Sequence, residues 1–232
     1  MVPIKRKYMR YAKVLLLAIL ISGCIGQQPE TGEKEEAPSQ EVIATDQDME
    51  VTPIKDFFVV DLGDKPEIDI EKWRLEVTGL VDNPLVLTYD DILSIPSVVQ
   101  VTTLYCVTGF EGTGEWTGVP LQYILEKAGY SEDTVSVIFY AADDYTSSIS
   151  LEKALQDDTI LAYKVNGVTL PKEHGYPLRL VVPDKWGYKW VKWIVRIELV
   201  DYDYEGYWES RGFSNIADVP EDIKNREAIT PE

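Results

Sequence analysis

"LYCVTGFEGTGEWTGVPL", Leu104 to Leu121, holds the one cysteine that lies beyond the first few dozen residues of this 232-residue chain. A β-rich run, "VVQVTTLY", leads into Cys106, and Gly109, Gly112 and Gly114 follow it. The thiol therefore stands where a strand gives way to a glycine-rich loop, a place from which a side chain can be presented to a ligand. The glycines are expected to let that loop close over something bulky, and "EWTGVPL" to return the chain to a packed helix. A lone thiol is either buried and inert, or its sulfur is held by something else.

Outward from this stretch, "PLQYILEKAGY" places Leu121, Ile124, Leu125 and Ala128 at helical spacing, with Pro120 suited to the first helical position and Gly129 to the stop. "LTYDDILSIP" reads as a short helix capped by Thr88 and ended by Pro96, and "SLEKALQ" as another, capped by Ser150 with Leu151, Ala154 and Leu155 facing inward. "WRLEVTGLV", "TVSVIFYAA", "TILAYKVNG", "PLRLVVP" and "WVKWIVRIELVDY" have the β-branched and aromatic texture of strands. Strands and helices do not alternate regularly and no repeat recurs, so one mixed α+β domain is expected over residues 51–232.

The start of the chain reads differently. "MVPIKRKYMRYAKVLLLAILISGC" has a basic beginning, an apolar run from Val14 to Ile21 and small residues before Cys24, the pattern of an export signal over residues 1–23. The apolar run is shorter than the roughly 20 residues of a membrane-spanning helix, although an uncleaved anchor is the alternative. "ISGC" resembles the lipobox of lipoproteins, which implies lipid on Cys24 and a place on the outer face of the cytoplasmic membrane. "KRKYMR" is similar to the twin-arginine motif with lysine for its first arginine; that route exports proteins already folded around a cofactor. Residues 24–50 are expected to be an acidic flexible tether, since positions 25–50 hold eight acids, one lysine, two prolines and no aromatic.

Forty acids face 22 basic residues, for a net charge of -18. The leader takes five positive charges with it (Lys5, Arg6, Lys7, Arg10 and Lys13), leaving about -23 on the exported part. That balance argues against nucleic acid and anionic membrane surfaces, and for solubility or a basic protein partner. With Cys24 lipidated, Cys106 has no partner for a disulfide.

His174 is the single histidine, which removes zinc sites of several His or Cys ligands and leaves no second candidate for a catalytic triad. No P-loop or dinucleotide fingerprint follows a strand, and no CxxCH haem signature is present. The stretch "KEHGYPLRLVVPDKWGYKWVKW", Lys172 to Trp193, gathers Arg179, Lys185, Lys189 and Lys192 in an otherwise acidic domain. Such cations beside Gly187 suit a phosphate; the alternative is a strand and turn whose lysines balance nearby acids. A soft thiolate together with a phosphate cradle points to a sulfur-held metal and a cofactor with an anionic tail.

Six motifs in order, "DFFVVDLG", "WRLEVTGLV", "TLYCVTGFEGTGEWTGVPL", "ADDYTSSISLEKAL", "LAYKVNGVTLPKEHGYPLRLVVPDKWGYKWVKWIVRIEL" and "GYWESRGFS", cover nearly everything from Lys55 to Ser214. In these the chain resembles the molybdopterin-dependent oxidoreductases of the sulfite oxidase superfamily, most closely the single-domain branch with the catalytic subunit of periplasmic methionine sulfoxide reductase. The resemblance implies a sulfite oxidase-type α+β fold of mixed sheets with short helices, and Mo-molybdopterin as cofactor. It implies Cys106 as the thiolate ligand of molybdenum and Tyr145 as an active-site hydroxyl. It also implies cofactor contacts at Phe58, Val59, Ala141, His174, Arg179, Trp190, Val191 and Lys192. Where the sulfite oxidases carry an anion-binding arginine five positions after the cysteine, this chain has Glu111, which is expected to repel sulfite, and Glu111 or Glu115 is expected to handle protons. Where the methionine sulfoxide reductase carries a glutamate two positions after the cysteine, this chain has Thr108. The implied activity is oxygen-atom transfer, reducing a small S-oxide or N-oxide with electrons from a separate partner such as a membrane haem protein or a cytochrome. A non-enzymatic lipoprotein module that keeps the fold without the metal is the alternative.

Overall fold

The computed structural model describes residues 40–42 and 49–224. The export signal, Cys24 and most of the tether lie outside the described residues. One piece of the expected tether does not: β1 (Gln40–Val42) pairs in parallel with Ser97–Val99 and belongs to a compact unit that begins at Ala37.

Two sheets carry the domain. β2 (Leu75–Gly79) and β3 (Leu85–Leu87) form an antiparallel pair across the turn at Asp82–Pro84, and α1 (Tyr89–Leu93) follows. Thr88 caps α1 with a full capping box: its hydroxyl accepts from the Asp91 amide while the Asp91 carboxylate accepts from the Thr88 amide. β4 (Ser97–Tyr105) and β5 (Glu111–Pro120) make the long hairpin whose tip is Cys106–Phe110. α2 (Leu121–Ala128) buries the four expected apolar residues, and Gly129 stops it in the left-handed conformation, φ 69°. Pro120 closes β5 and takes the N-cap position, one residue earlier than expected.

β6 (Ser136–Ala141) and β7 (Thr146–Ser150) form a second hairpin, followed by α3 (Leu151–Ala154), which Ser150 caps through the Lys153 amide. In α3 the inward reading holds for Ala154, whereas Leu151 and Leu155 are half-buried and Lys153 is buried instead. The Lys153 ammonium compensates its burial by donating to Gln156 and Asp158. β8 (Ile160–Val165), β9 (Val168–Thr169), β10 (Arg179–Val181) and β11 (Ile194–Val200) complete the set before the last turn, α4 (Glu221–Lys224).

One sheet runs β1-β4-β5-β8-β10, with β9 beside β8; the other runs β3-β2-β11-β6-β7. β11 is the hinge of the second sheet, parallel to β2 and antiparallel to β6. A single apolar cluster draws Trp116, Val119 and Leu161 from the first sheet, Leu75, Phe139 and Ile197 from the second, and Leu121, Ile124 and Leu125 from α2. This is the expected α+β class with mixed sheets and few, short helices.

Two of the glycines near Cys106 do not serve a loop. Gly112 and Gly114 lie within β5, and a Cβ on Gly112 would stand 2.8 Å from the Phe57 ring, so glycine is needed there for close approach. Only Gly109, with φ 94° and open space around it, supplies the turn's backbone conformation.

Candidate active site

The β4–β5 register brings Tyr105 opposite Glu111 and leaves Cys106 to Phe110 as the connection. Two hydrogen bonds brace it: the Cys106 amide donates to the Phe110 carbonyl at 2.8 Å, and the Gly109 amide to the Cys106 carbonyl at 2.9 Å. The thiol is left half-buried with its sulfur 3.0 Å from the Thr108 hydroxyl.

Cys106 faces a cavity of about 230 Å3. Phe58, Val59, Tyr145, His174, Arg179, Trp190, Val191 and Lys192 line it as well, so nine of the eleven residues expected at the site converge there from five separate segments. Glu111 and Ala141 do not. Glu111 is exposed at the first position of β5, beyond the hairpin tip, and it is Val107 and Thr108 that reach the cavity from this connection. Glu111 therefore stands outside the residues that line the cavity, opposite Tyr105 in the hairpin register. Ala141 ends β6, donates its amide to the Tyr145 carbonyl at 2.9 Å and lines a second, more open cleft on the other side of Tyr145.

The cations of the 172–193 stretch part company in three dimensions, and Lys172 at its start pairs with Glu67. Lys185 pairs with Asp218, Lys189 with Glu209 and Lys192 with Asp61. Arg179, 3% exposed, has no carboxylate partner among the described residues. Its guanidinium donates to the carbonyls of His174 at 3.2 Å and Trp190 at 3.3 Å and lies over the rings of Trp116 and Trp190. Burial pushes it down to about 9, which still leaves it charged at neutral pH. An uncompensated buried cation on a cavity wall costs several kcal/mol and is stabilised by an anion placed beside it. Gly175, at φ 109°, is packed so closely between Arg179 and Lys192 that a Cβ would meet both side chains.

His174 is buried beside Arg179 in the short turn Lys172–His174, with its ring edge-on to Phe57 at 5.5 Å. Burial first, and the Arg179 charge second, hold its imidazole down to about 4, so it is neutral at pH 7 and can both donate and accept. Its side chain makes no hydrogen bond among the described residues and is open to a ligand. Lys192 is differently placed: besides Asp61 it donates to the carbonyls of Val60 at 3.0 Å and Glu173 at 3.1 Å. Its ammonium thereby straps the segment carrying Phe58 to Leu62 to the cavity wall.

Tyr145 donates its hydroxyl to the Tyr188 carbonyl at 2.5 Å, and burial followed by the nearby Glu209 charge drives its pKa far up. It is a neutral hydroxyl at any working pH. The Gly187–Lys189 turn that presents Tyr188 is anchored from beneath by Lys189, whose ammonium donates to Glu209 at 2.5 Å, the Ser148 carbonyl at 2.8 Å and Asn215 at 2.9 Å. Tyr188, Trp208 and Phe213 add an aromatic wall, with Phe213 5.5 Å from Tyr188 and 5.1 Å from Trp208. Sequence reasoning missed these three, as well as Asp61 and Thr108 as cavity residues; the motif "GYWESRGFS" carried Trp208 and Phe213 without revealing their direction. Trp116 and Trp190 are buried against each other in an edge-on pair, with the Arg179 guanidinium close to both rings.

This site has the parts of an oxidoreductase that holds an anionic organic cofactor and a soft metal. Cys106 offers one soft ligand, and among the described residues no three His, Cys, Asp or Glu side chains form a metal-holding group. A metal at Cys106 would take its other ligands from outside the polypeptide, and Arg179 would meet a phosphate. Known proteins similar to this chain supply the class. A family model described as the oxidoreductase molybdopterin binding domain matches residues 62–208. The chain is 37% identical over 159 residues to an uncharacterized oxidoreductase, YuiH, of Bacillus subtilis (strain 168), covering 68% of this chain and 80% of that one. It is 39% identical over 148 residues to a putative protein-methionine-sulfoxide reductase subunit, YedZ1, of Azospira oryzae, covering 64% of this chain and 56% of that one. Among solved structures it resembles the sulfane dehydrogenase SoxCD from Paracoccus pantotrophus, with a TM-score of 0.63 and 32% identity, covering 66% of this chain and 44% of the other. Apart from YuiH, then, these relatives are matched over about half their length.

The chain belongs to the molybdopterin-binding oxidoreductase family of the sulfite oxidase type. It is an enzyme of that family and its cofactor is Mo-molybdopterin, which sets aside the non-enzymatic alternative.

Proposed function

We propose that this protein is an exported, lipid-anchored oxygen-atom transferase that reduces an S-oxide, with N-oxides as the neighbouring class. The observation that carries the reading is the meeting of Cys106 and the unpaired Arg179 in one cavity. Bound there, the cofactor supplies a metal that passes between Mo(VI) and Mo(IV) while it exchanges an oxygen atom with substrate. The overall change takes one sulfoxide, two electrons and two protons to one thioether and one water.

The residues divide the work. Cys106 holds the metal through its sulfur; Arg179 receives the cofactor phosphate, with the backbone at Trp190 and Val191 beside it. Neutral His174 binds the cofactor by hydrogen bonds and adds no charge. Lys192 holds the Phe58–Leu62 segment in place along the cavity. Tyr145 offers a hydroxyl that stays protonated, and Tyr188, Trp208 and Phe213 supply the polarizable surface on which a thioether sulfur rests favourably. Sulfite suits this cavity less well: Lys192 is already matched by Asp61, and Asp143 and Glu173 add negative charge to the lining.

Electrons come from a separate redox partner, a membrane haem protein or a small cytochrome, since the chain has no haem-attachment motif. The acidic surface fits a basic partner and steers it at low salt. Lipid on Cys24 would keep the enzyme at the outer face of the cytoplasmic membrane; among the described residues no helix is long and apolar enough to cross a membrane.

Metal analysis and a dye-linked assay test the reading. Protein from a molybdenum-sufficient host should hold about one Mo per chain and oxidise reduced viologen with S-oxides or N-oxides. Cys106→Ser should stay folded and lose both metal and activity. A Cys106→Ser protein with full activity, or a wild-type preparation free of molybdenum with a freely titratable thiol, would overturn the assignment.

A further inference from the structure

We propose that Thr108 is a positioning residue: its hydroxyl donates a hydrogen bond to the Cys106 sulfur and so raises the reduction potential of the metal that sulfur holds. The proposal rests on Cys106 being the metal's thiolate ligand.

The two atoms are 3.0 Å apart, well within reach of an O–H···S bond. The Thr108 hydroxyl has no other hydrogen-bond partner among the described residues, so nothing else in the protein competes for its proton. Its position is not left to chance. The bonds from Cys106 to Phe110 and from Gly109 to Cys106 close the backbone on either side of Thr108, and the stacking of Phe110 on Phe58 at 6.0 Å ties the tip to the cavity rim. Both Cys106 and Thr108 line the same cavity.

Direction follows from protonation. A free thiol can donate or accept, but a metal-bound sulfur carries no proton, so the pair has one polarity left: threonine donates and sulfur accepts. A hydrogen bond to a ligating sulfur draws electron density away from the metal, which stabilises the reduced state. Residues that touch a ligand without touching the metal tune sites in this way. The consequence for catalysis is electron uptake from a partner of moderate potential, at the cost of some driving force toward the oxidised substrate.

Three variants of the metal-loaded full chain separate the hydroxyl from the methyl group. Thr108→Val keeps the shape and removes the donor, Thr108→Ala removes both groups, and Thr108→Ser keeps the donor alone. In a redox titration followed by the paramagnetic Mo(V) signal, the valine and alanine variants should favour oxidation of the metal about tenfold more than wild type, a one-electron midpoint about 59 mV lower. The serine variant should match wild type. Loss of metal loading in the valine and alanine variants with full loading in the serine variant would likewise tie the hydroxyl to the site. The proposal fails if the valine variant carries full molybdenum at an unchanged potential, if serine shifts as far as valine, or if all three lose metal alike. Metal retained by Cys106→Ser would instead break the underlying reading of the cysteine.

Discussion

Arg179 and Lys189 stand ten residues apart in one basic stretch, both nearly inaccessible to solvent, at 3% and 1% exposure; Arg179 lines the cavity, and Lys189 lies behind the Tyr188 and Trp190 that do. Lys189 meets a carboxylate, a carbonyl and an amide oxygen, all within the protein. Arg179 meets only carbonyls and two indole faces. The first arrangement is complete without a ligand; the second is a charge waiting for one. Two identical-looking cations in the sequence therefore have opposite meanings, and the difference lies in whether a distant acid folds back onto them.

Lys189→Met is the most severe way to break this comparison. It leaves Glu209 buried beside Ser147 without its cation, and a buried pair cut on one side costs roughly 3–5 kcal/mol. Chemical denaturation should show that loss, and a Lys189→Met, Glu209→Gln double variant should recover part of it. If the single variant unfolds at the wild-type midpoint, the anchoring role of Lys189 is wrong.

Arg179→Met should behave in the reverse sense. Removing an unpaired buried charge leaves the cofactor-free protein as stable as wild type or more so, while cofactor retention weakens about a hundredfold, or ~2.7 kcal/mol, the worth of a charge-assisted pair. Molybdenum content after dialysis, measured beside thermal unfolding, reads both effects. A variant that loses stability but keeps its cofactor would invert the comparison.

The smallest effect sharpens it. His174 is the single histidine of the chain, so its imidazole resonance titrates without overlap. In the cofactor-free protein the midpoint should lie near 4, against 6.5 when unfolded. The unfolded chain thus takes up the proton first, and stability contributed by neutral His174 is present above about 6.5 and is lost as pH falls toward 4. Burial is the larger cause and Arg179 the second, so Arg179→Met should raise the midpoint only in part, narrowing the window by about 1 kcal/mol or less. An unmoved midpoint would mean that the guanidinium does not act on the ring.

Local features were legible in the sequence wherever local physics governs them. Thr88 and Ser150 cap helices because a hydroxyl beside a first turn has free amides to accept from. The buried face of α2 follows from spacing alone, and Cys106 lies at a strand end as its flanks dictate. Failures share a cause. Gly112 and Gly114 looked like loop residues, but both lie within β5, where Phe57 from a distant segment presses on Gly112 and the ring of Trp116 in the same strand folds against Gly114. Glu111 was reached by counting from the cysteine, and the fold sets it opposite Tyr105 in the hairpin, apart from the residues that line the cavity.

By itself the sequence determined the α+β class, the placement of a single thiol at a strand end, the capped helices and the ordered motifs that match a molybdopterin enzyme. Only the tertiary structure decided which cation is unpaired, that Lys192 straps Asp61 across 131 positions, and that Thr108 touches the sulfur. The physical reason is range. Caps, pleats and helical faces are set by neighbours within a few residues, whereas charge compensation in a low-dielectric interior depends on which distant acids the fold brings within reach.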